Sequence, residues 1–297
     1  MVRFAAGEIV EARLILEGVP RAGTGRQAVL KRTGLPAIAF DGTQEYVLPR
    51  GAPGVTEGAT IAIEITRERI PGSEPWKRPL ARVAGSIAVP LVEGEVLQFP
   101  APDDPLEAAG WSDLIEEARS GIVRFSGGEL RVSPTPAMTL IDVDGTLPLL
   151  DLAVAGASAA ARAILRHGIG GSIGIDLPTI AGKSERLSIA QAVDTILPQP
   201  FERTAVNGFG FLQIVRPRRH ASLFEHATDR AAFEARALLR IAARCIGATR
   251  ITAHPAVIAA LEQRPQWNDA LARQIGGLVR LQADPKLAMS AGHASQD

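Results

Sequence analysis

A chain of 297 residues, 46% hydrophobic, with 32 basic and 32 acidic side chains, can bury one large or two modest cores and lacks the net positive charge of a bulk nucleic-acid binder. Its single cysteine, Cys245, excludes an intramolecular disulfide and a thiolate cluster for zinc or iron–sulfur. No apolar stretch reaches the roughly 18 residues of a membrane span, so no membrane partner is expected. The neutrality is uneven: residues 1–82 carry about +3 and residues 83–122 about −7.

The opening MVRFAAGEIVEARL places Glu8 and Glu11 where an export signal needs an uninterrupted apolar run, and a cytoplasmic location is the expectation. EIVEARLILEG, RQAVLKR, PAIAFDG, EYVLP and TIAIEITRERI then read as short strands separated by RAGTG, TGLP, FDGT and RGAPG. Such spacing predicts a small barrel over 1–70. The proline-rich IPGSEPWKRP begins a linker and acidic connector over 71–105.

From residue 106 the period changes. LEAAGWSDLIEEARSG predicts a helix, and IVRFSGG with ELRVSP a hairpin across Gly127-Gly128. AMTLIDV is an apolar strand, LDLAVAGASAAARAILRHG a helix, GGSIGIDL a second apolar strand, and SERLSIAQAVDTIL a helix with Ser184 as N-cap. RTAVNGFGFLQIVRPRR predicts a strand pair broken by glycines. Residues 223–297 read as a small α/β unit. Cys245, inside RIAARCIGA, is expected as a small buried residue.

The chemistry concentrates where apolar strands end in aspartate. Asp142-Val143-Asp144-Gly145-Thr146 resembles the first motif of haloacid-dehalogenase-type phosphatases, which implies Asp142 as nucleophile and Asp144 as general acid. That chemistry also needs a downstream lysine and an acidic pair. Lys183 fits the first requirement, but Asp269 and Asp284 do not follow a suitable strand. LIDVDG and SIGIDL instead form a repeated pattern separated by one helix. A β-α-β crossover sets such strand ends side by side and brings Asp142 near Asp176, a pair of hard oxygen donors suited to magnesium. In the plainer alternative one aspartate only caps the following turn.

Several longer stretches resemble the ribonuclease E/G family. DLIEEARSGIVRFSGGELRVSPTPAMTLIDVDG (113–145), ILRHGIGGSIGIDL (164–177) and RTAVNGFGFLQIVRPRR (203–219) are similar, in order, to its helix, glycine hairpin, two metal-binding strands and arginine-bearing strand. PAIAFDGTQEYVLP stands where its oligonucleotide-binding barrel has signature strands. The resemblance spans most of the chain. It implies Mg, with Mn as an alternative, held by Asp142 and Asp176, Asp144 as an added carboxylate where the family has asparagine, and hydrolysis of single-stranded RNA to 5′-phosphate and 3′-hydroxyl ends. The implied fold is a multidomain mixture of α+β and α/β: an OB-like barrel over 1–70, a DNase-I-like α/β nuclease core over 106–222, and the C-terminal unit.

Departures accompany the likeness. GTLPLL shortens a loop, Ala155 and Thr179 stand where acidic residues are common, and the zinc-linking cysteine pair is absent, so neither zinc nor a zinc-linked dimer is expected. Residues 83–105 are too few for a separate RNA 5′-end sensor. An RNA-binding protein that has lost efficient catalysis is therefore the second expectation, and the phosphatase the third.

Candidate RNA contacts are Lys31, Arg32, Phe40 and Tyr46 on the barrel, where an aromatic stacks a base and cations track phosphates. Phe40 fits a barrel core equally well. Lys183 and Arg186 stand at a helix start suited to phosphate. Arg216 and Arg218 share one strand face and read either as a clamp on the scissile phosphate or as a solvated strand end. The five histidines show no ligand spacing.

Overall fold

Alternating apolar residues in the first third of the chain do form short strands, though these divide into two separate sheets. In the computed structural model, which describes residues 1–72, 74–87, 94–101 and 103–297, β1 (Val2–Ala5) and β2 (Glu8–Ala12) pair only with each other. Five further strands close a barrel: β3 (Gly25–Arg32), β4 (Ala37–Phe40), β5 (Glu45–Leu48), β6 (Thr60–Arg67) and β7 (Leu80–Val83), in the order β3-β4-β5-β7-β6. The β5–β7 contact is parallel and the other pairings are antiparallel. Inward positions place Leu30, Tyr46, Leu48, Ile61, Ile63 and Ile65 in one apolar core, and each such aliphatic side chain contributes about 1.5–3 kcal/mol by leaving water. Strand β7 lies inside the stretch expected as a linker, so the barrel extends past residue 70. The remainder of that expected linker lies in part outside the described residues.

The chain divides into two compact units, Met1–Gly94 with Glu116–Glu225 and Glu95–Ile115 with His226–Asp297. Residues 95–115 thus join the C-terminal unit instead of forming a free connector. Besides the barrel, the first unit holds a six-stranded sheet of β8 (Ile122–Phe125), β9 (Gly128–Pro134), β10 (Thr139–Gly145), β11 (Gly171–Asp176), β12 (Glu202–Arg203) and β13 (Phe211–Arg216), in the order β12-β13-β11-β10-β9-β8. Only β10 and β11 run parallel, because helix α3 (Leu149–Arg166) crosses between them.

Helices α3 and α4 (Lys183–Ile196) meet the buried face of this sheet, where Ile141, Val143, Ile173, Ile175, Leu212 and Ile214 join Leu152, Ala153, Ala157, Ala160, Ile164, Ile189 and Val193 in one core. The small residues of α3 allow a close approach, and a Cβ added at Gly156 would collide with Val143. The β1–β2 hairpin also packs on α3 through β2, whose Ile9 and Ala12 are buried. The opposite face of the sheet carries the alternate residues and leaves Leu140, Asp142, Asp144, Asp176 and Val215 exposed.

The second unit pairs β14 (Thr249–Ala253) with β15 (Val279–Ala283) and β16 (His293–Gln296) in the order β15-β14-β16. It also includes α1 (Pro105–Ala108), α6 (Arg230–Ala242), α7 (Pro255–Glu262) and α8 (Pro265–Ile275). Helices α2 (Trp111–Ser120) and α5 (Leu223–Ala227) run through the two points of division. The single helix expected over 106–121 is broken between α1 and α2 at Gly110, whose φ of 91° belongs to the left-handed region. Arg240 lies over Phe99 (4.0 Å) and Trp111 (4.8 Å) while bonding Asp104, which ties 95–115 to α6. Cys245 is half-exposed beyond the end of α6, where the expectation was burial. Among the described residues no helix is long and apolar enough to cross a membrane.

Candidate functional site

Strand register creates the site. In the parallel β10–β11 pair Asp142 stands directly beside Asp176, and the crossover expected from the repeated strand pattern has brought the two carboxylates together. Asp142 is also in register with Arg131 of β9, and Asp176 with Phe211 of β13. Paired residues share a sheet face, so Arg131, Asp142, Asp176 and Phe211 form one row across four strands. At about 4.8 Å between strands the row spans about 14 Å. Asp144 lies two residues past Asp142 on the same face.

Charge in this row is unbalanced. Partial burial, then the neighbouring Asp144 and Asp176, push the Asp142 carboxyl above its ordinary range, while the Val143 amide and Arg131 pull it down less strongly. Arg131 places its Nε 3.5 Å from Asp144 and donates to Glu129 at 2.8 Å. Two adjacent carboxylates, exposed and short of counter-charge, have the donor chemistry of a magnesium site in which water and substrate phosphate complete the shell. Among the described residues no group of three or more His, Cys, Asp or Glu is arranged to hold one ion.

The proposed phosphate contacts fall elsewhere. Arg216 is in register with Gly171, at the other end of β11 from Asp176. Five residues at about 3.4 Å per residue put it about 17 Å along the strand from the aspartates. There it donates to the Ile169 carbonyl at 3.2 Å, while Arg218 is paired with Glu225. A clamp on a phosphate at the aspartates is therefore corrected: direction along an antiparallel strand carries both arginines away. Arg186 is likewise committed, donating to the Ile180 and Ala181 carbonyls at 2.9 and 2.6 Å. Helix α4 starts from Gly182, not Ser184, and the Glu185 carboxylate folds back to its own amide and the Ser184 hydroxyl. That carboxylate already takes the place an anion would have at this helix start. Lys183 remains exposed.

On the barrel, Tyr46 is 0% exposed. Its hydroxyl donates to Asp41 at 2.7 Å and accepts from Gln44 at 3.0 Å, so its assignment as a stacking residue is corrected to core. Phe40 is half-buried beside a cleft of about 400 Å³ lined also by Arg69 and by the Arg78–Glu45 ion pair. Lys31 Nζ lies 5.7 Å from the Phe40 ring centre, and Lys31 and Arg32 are both exposed.

His167 is fully buried, with Nε2 2.9 Å from Glu117 and the ring against Phe224. Burial lowers its pKa, against the opposing pull of Glu117, which suits a neutral structural side chain. Arg131 and Phe211 were missed in the residue pattern. Counting back from Asp142 through the short Thr135–Met138 turn would have found Arg131; Phe211 required the antiparallel register of β13.

No family model matches the chain, and no curated protein matches it.

Proposed function

We propose that this chain is a metal-dependent endoribonuclease, of the ribonuclease E/G kind, that cleaves single-stranded RNA to 5′-phosphate and 3′-hydroxyl ends. The observation that carries this reading is the side-by-side register of Asp142 and Asp176 on an open sheet face. Asp142 and Asp176 would hold magnesium or manganese, with Asp144 adding negative charge beside them. Bound there, the ion supplies charge neutralisation at the scissile phosphate and an activated water. Arg131, at the β9 end of the row, is the guanidinium nearest in register to the pair, and it would have to exchange its contacts with Glu129 and Asp144 for a phosphate.

The barrel supports the same reading. Its order β3-β4-β5-β7-β6, with the parallel β5–β7 contact, fits an OB-type barrel of the sort that holds single-stranded nucleic acid. Lys31, Arg32 and Phe40 are its proposed RNA contacts. The six-stranded sheet is the proposed nuclease core, and cytoplasmic RNA is the proposed substrate pool. A second reading, RNA binding without efficient cleavage, is favoured by the position of Arg216 and Arg218 at the far end of the sheet.

The test is a time course on an A/U-rich single-stranded RNA labelled internally, with magnesium, manganese or chelator, comparing wild type with Asp142→Asn/Asp176→Asn. Metal-dependent internal cuts that vanish in the double variant support the nuclease. RNA bound equally by both proteins and left intact supports the binding protein. Phosphate release from small esters without RNA cleavage supports the phosphatase.

A further inference from the structure

Phe209 is 83% exposed, at the tip of the loop that enters β13. The loop is held from several sides. Asn207 Oδ1 accepts from the amides of Phe209 (2.9 Å) and Phe211 (3.0 Å), Thr179 Oγ1 donates to the Phe209 carbonyl (3.2 Å), and the Leu177 amide donates to the Gly210 carbonyl (3.2 Å). Gly210 adopts φ 90° hard against the Leu177 carbonyl, where a side chain does not fit. The Phe209 ring is thus presented to solvent on a fixed turn beside the end of β11.

Phe211 is the first residue of β13, two residues past Phe209, and is half-buried. It stands in register with Asp176, and its ring fills the space over Gly174, where an added Cβ would come within 2.5 Å of it and 3.0 Å of Leu140. One strand separates Phe211 from the Asp142 column, roughly 10 Å in all, which is within reach of a single nucleotide. An aromatic ring stacks any base, because every base has a π-face.

We infer that Phe209 and Phe211 form a base-stacking platform for the nucleotides beside the phosphate that a metal ion on Asp142 and Asp176 would engage, so that single-stranded RNA crosses the open face from β13 toward Arg131 on β9. The inference rests on the reading of this face as an RNA site. It makes Phe209 and Phe211 substrate-positioning residues and implies stacking without strict base identity.

The experiment moves a single 2-aminopurine through a short single-stranded RNA and records its fluorescence on binding in calcium, for wild type and Phe209→Leu, alongside the elution volume of each protein. Quenching is expected at one or two adjacent positions in wild type. In Phe209→Leu it should be lost, with affinity falling about tenfold and thermal midpoint unchanged because the side chain is exposed. Quenching that survives in Phe209→Leu, or no quenching at any position, overturns the platform. So does a wild-type dimer that Phe209→Leu converts to monomer with RNA affinity intact, since a second copy then covers the face. The two readings fail separately: Phe209-dependent quenching in a protein that never cleaves sinks the nuclease and leaves the platform, whereas cleavage with Phe209-independent binding does the reverse.

Discussion

Asp41 in the barrel and Asp142 in the open sheet each follow an apolar strand segment, yet they are held in opposite ways. Asp41 is 2% exposed at its side chain and accepts hydrogen bonds from the Thr43 amide and hydroxyl, the Gln44 amide and the Tyr46 hydroxyl. Burial pushes its carboxyl up, and those bonds more than reverse the push, down to about 2. Asp142 has burial and two neighbouring carboxylates against it, with a weaker pull from one amide and Arg131. A carboxylate whose bonds are all supplied by the fold stabilises the fold. One left among like charges stores a demand for a cation, and that difference separates the structural aspartate from the proposed metal ligand.

The largest effect should come from removing that demand. Asp142→Asn/Asp176→Asn is expected to lower metal-dependent RNA cleavage by about a thousandfold or more, because a bound ion supplies several kcal/mol to the transition state. Initial rates measure it. Thermal stability at neutral pH should not fall, since Asp142 with its raised pKa is easier to hold neutral than charged.

At the other aspartate the loss should be in stability. Asp41→Ala is expected to cost roughly 2–4 kcal/mol in urea unfolding, as it strands the Tyr46 hydroxyl and three turn donors. The linkage runs in a definite direction: the folded pKa lies below the ordinary 3.8, so this contribution is present above pH 4 and is lost as pH falls toward about 2. Wild type should therefore lose stability across that window by about 2 kcal/mol more than Asp41→Asn does.

Beneath the aspartates, Gly156→Ala tests how closely α3 approaches β10. Helix propensity alone predicts a gain of about 1 kcal/mol. Collision with Val143 should reverse it to a loss of about 1–3 kcal/mol in chemical denaturation. A measured gain would show that the helix can shift without cost.

The metal requirement should also depend on pH. Asp142 binds its proton more tightly than an ordinary carboxylate, so protons compete with magnesium and the half-saturating magnesium concentration should rise severalfold on acidification from neutral pH into the carboxylate range. Activity titrations at fixed pH values read this directly, and a pH-independent requirement would remove Asp142 from the ion. The smallest effect belongs to Arg216→Ala, at most about threefold in cleavage rate, because its guanidinium serves the Ile169 carbonyl about 17 Å from the pair. A loss comparable to that of the aspartate variant would mean RNA reaches both ends of the strand.

Much of this was legible in the residues. LIDVDG and GGSIGIDL repeat an apolar run ending in aspartate, and the helix between them already implies parallel neighbours with adjacent ends. The Gly127-Gly128 hairpin, both core helices and the change from strand-rich to mixed structure were visible as periodicity, because burial of alternate or every third to fourth residue is a local pattern. Arg216 and Arg218 show the limit of such patterns. Their spacing places them on one strand face, but only the antiparallel pairing with β11 reveals which end of the sheet they occupy.

Sequence alone therefore determined which segments become strands and helices, and that two aspartates lie on neighbouring parallel strands, since propensity, turn chemistry and hydrophobic period act over a few residues; β10 runs on past Asp142 to Gly145, so only Asp176 ends its strand. Tertiary structure decided what stands beside those aspartates. Register set Arg131, Asp142, Asp176 and Phe211 in one row, buried Tyr46 against Asp41, and turned the expected phosphate clamp away. Each of these depends on pairing between residues tens of positions apart, where a shift of one residue would move every side chain to the opposite face.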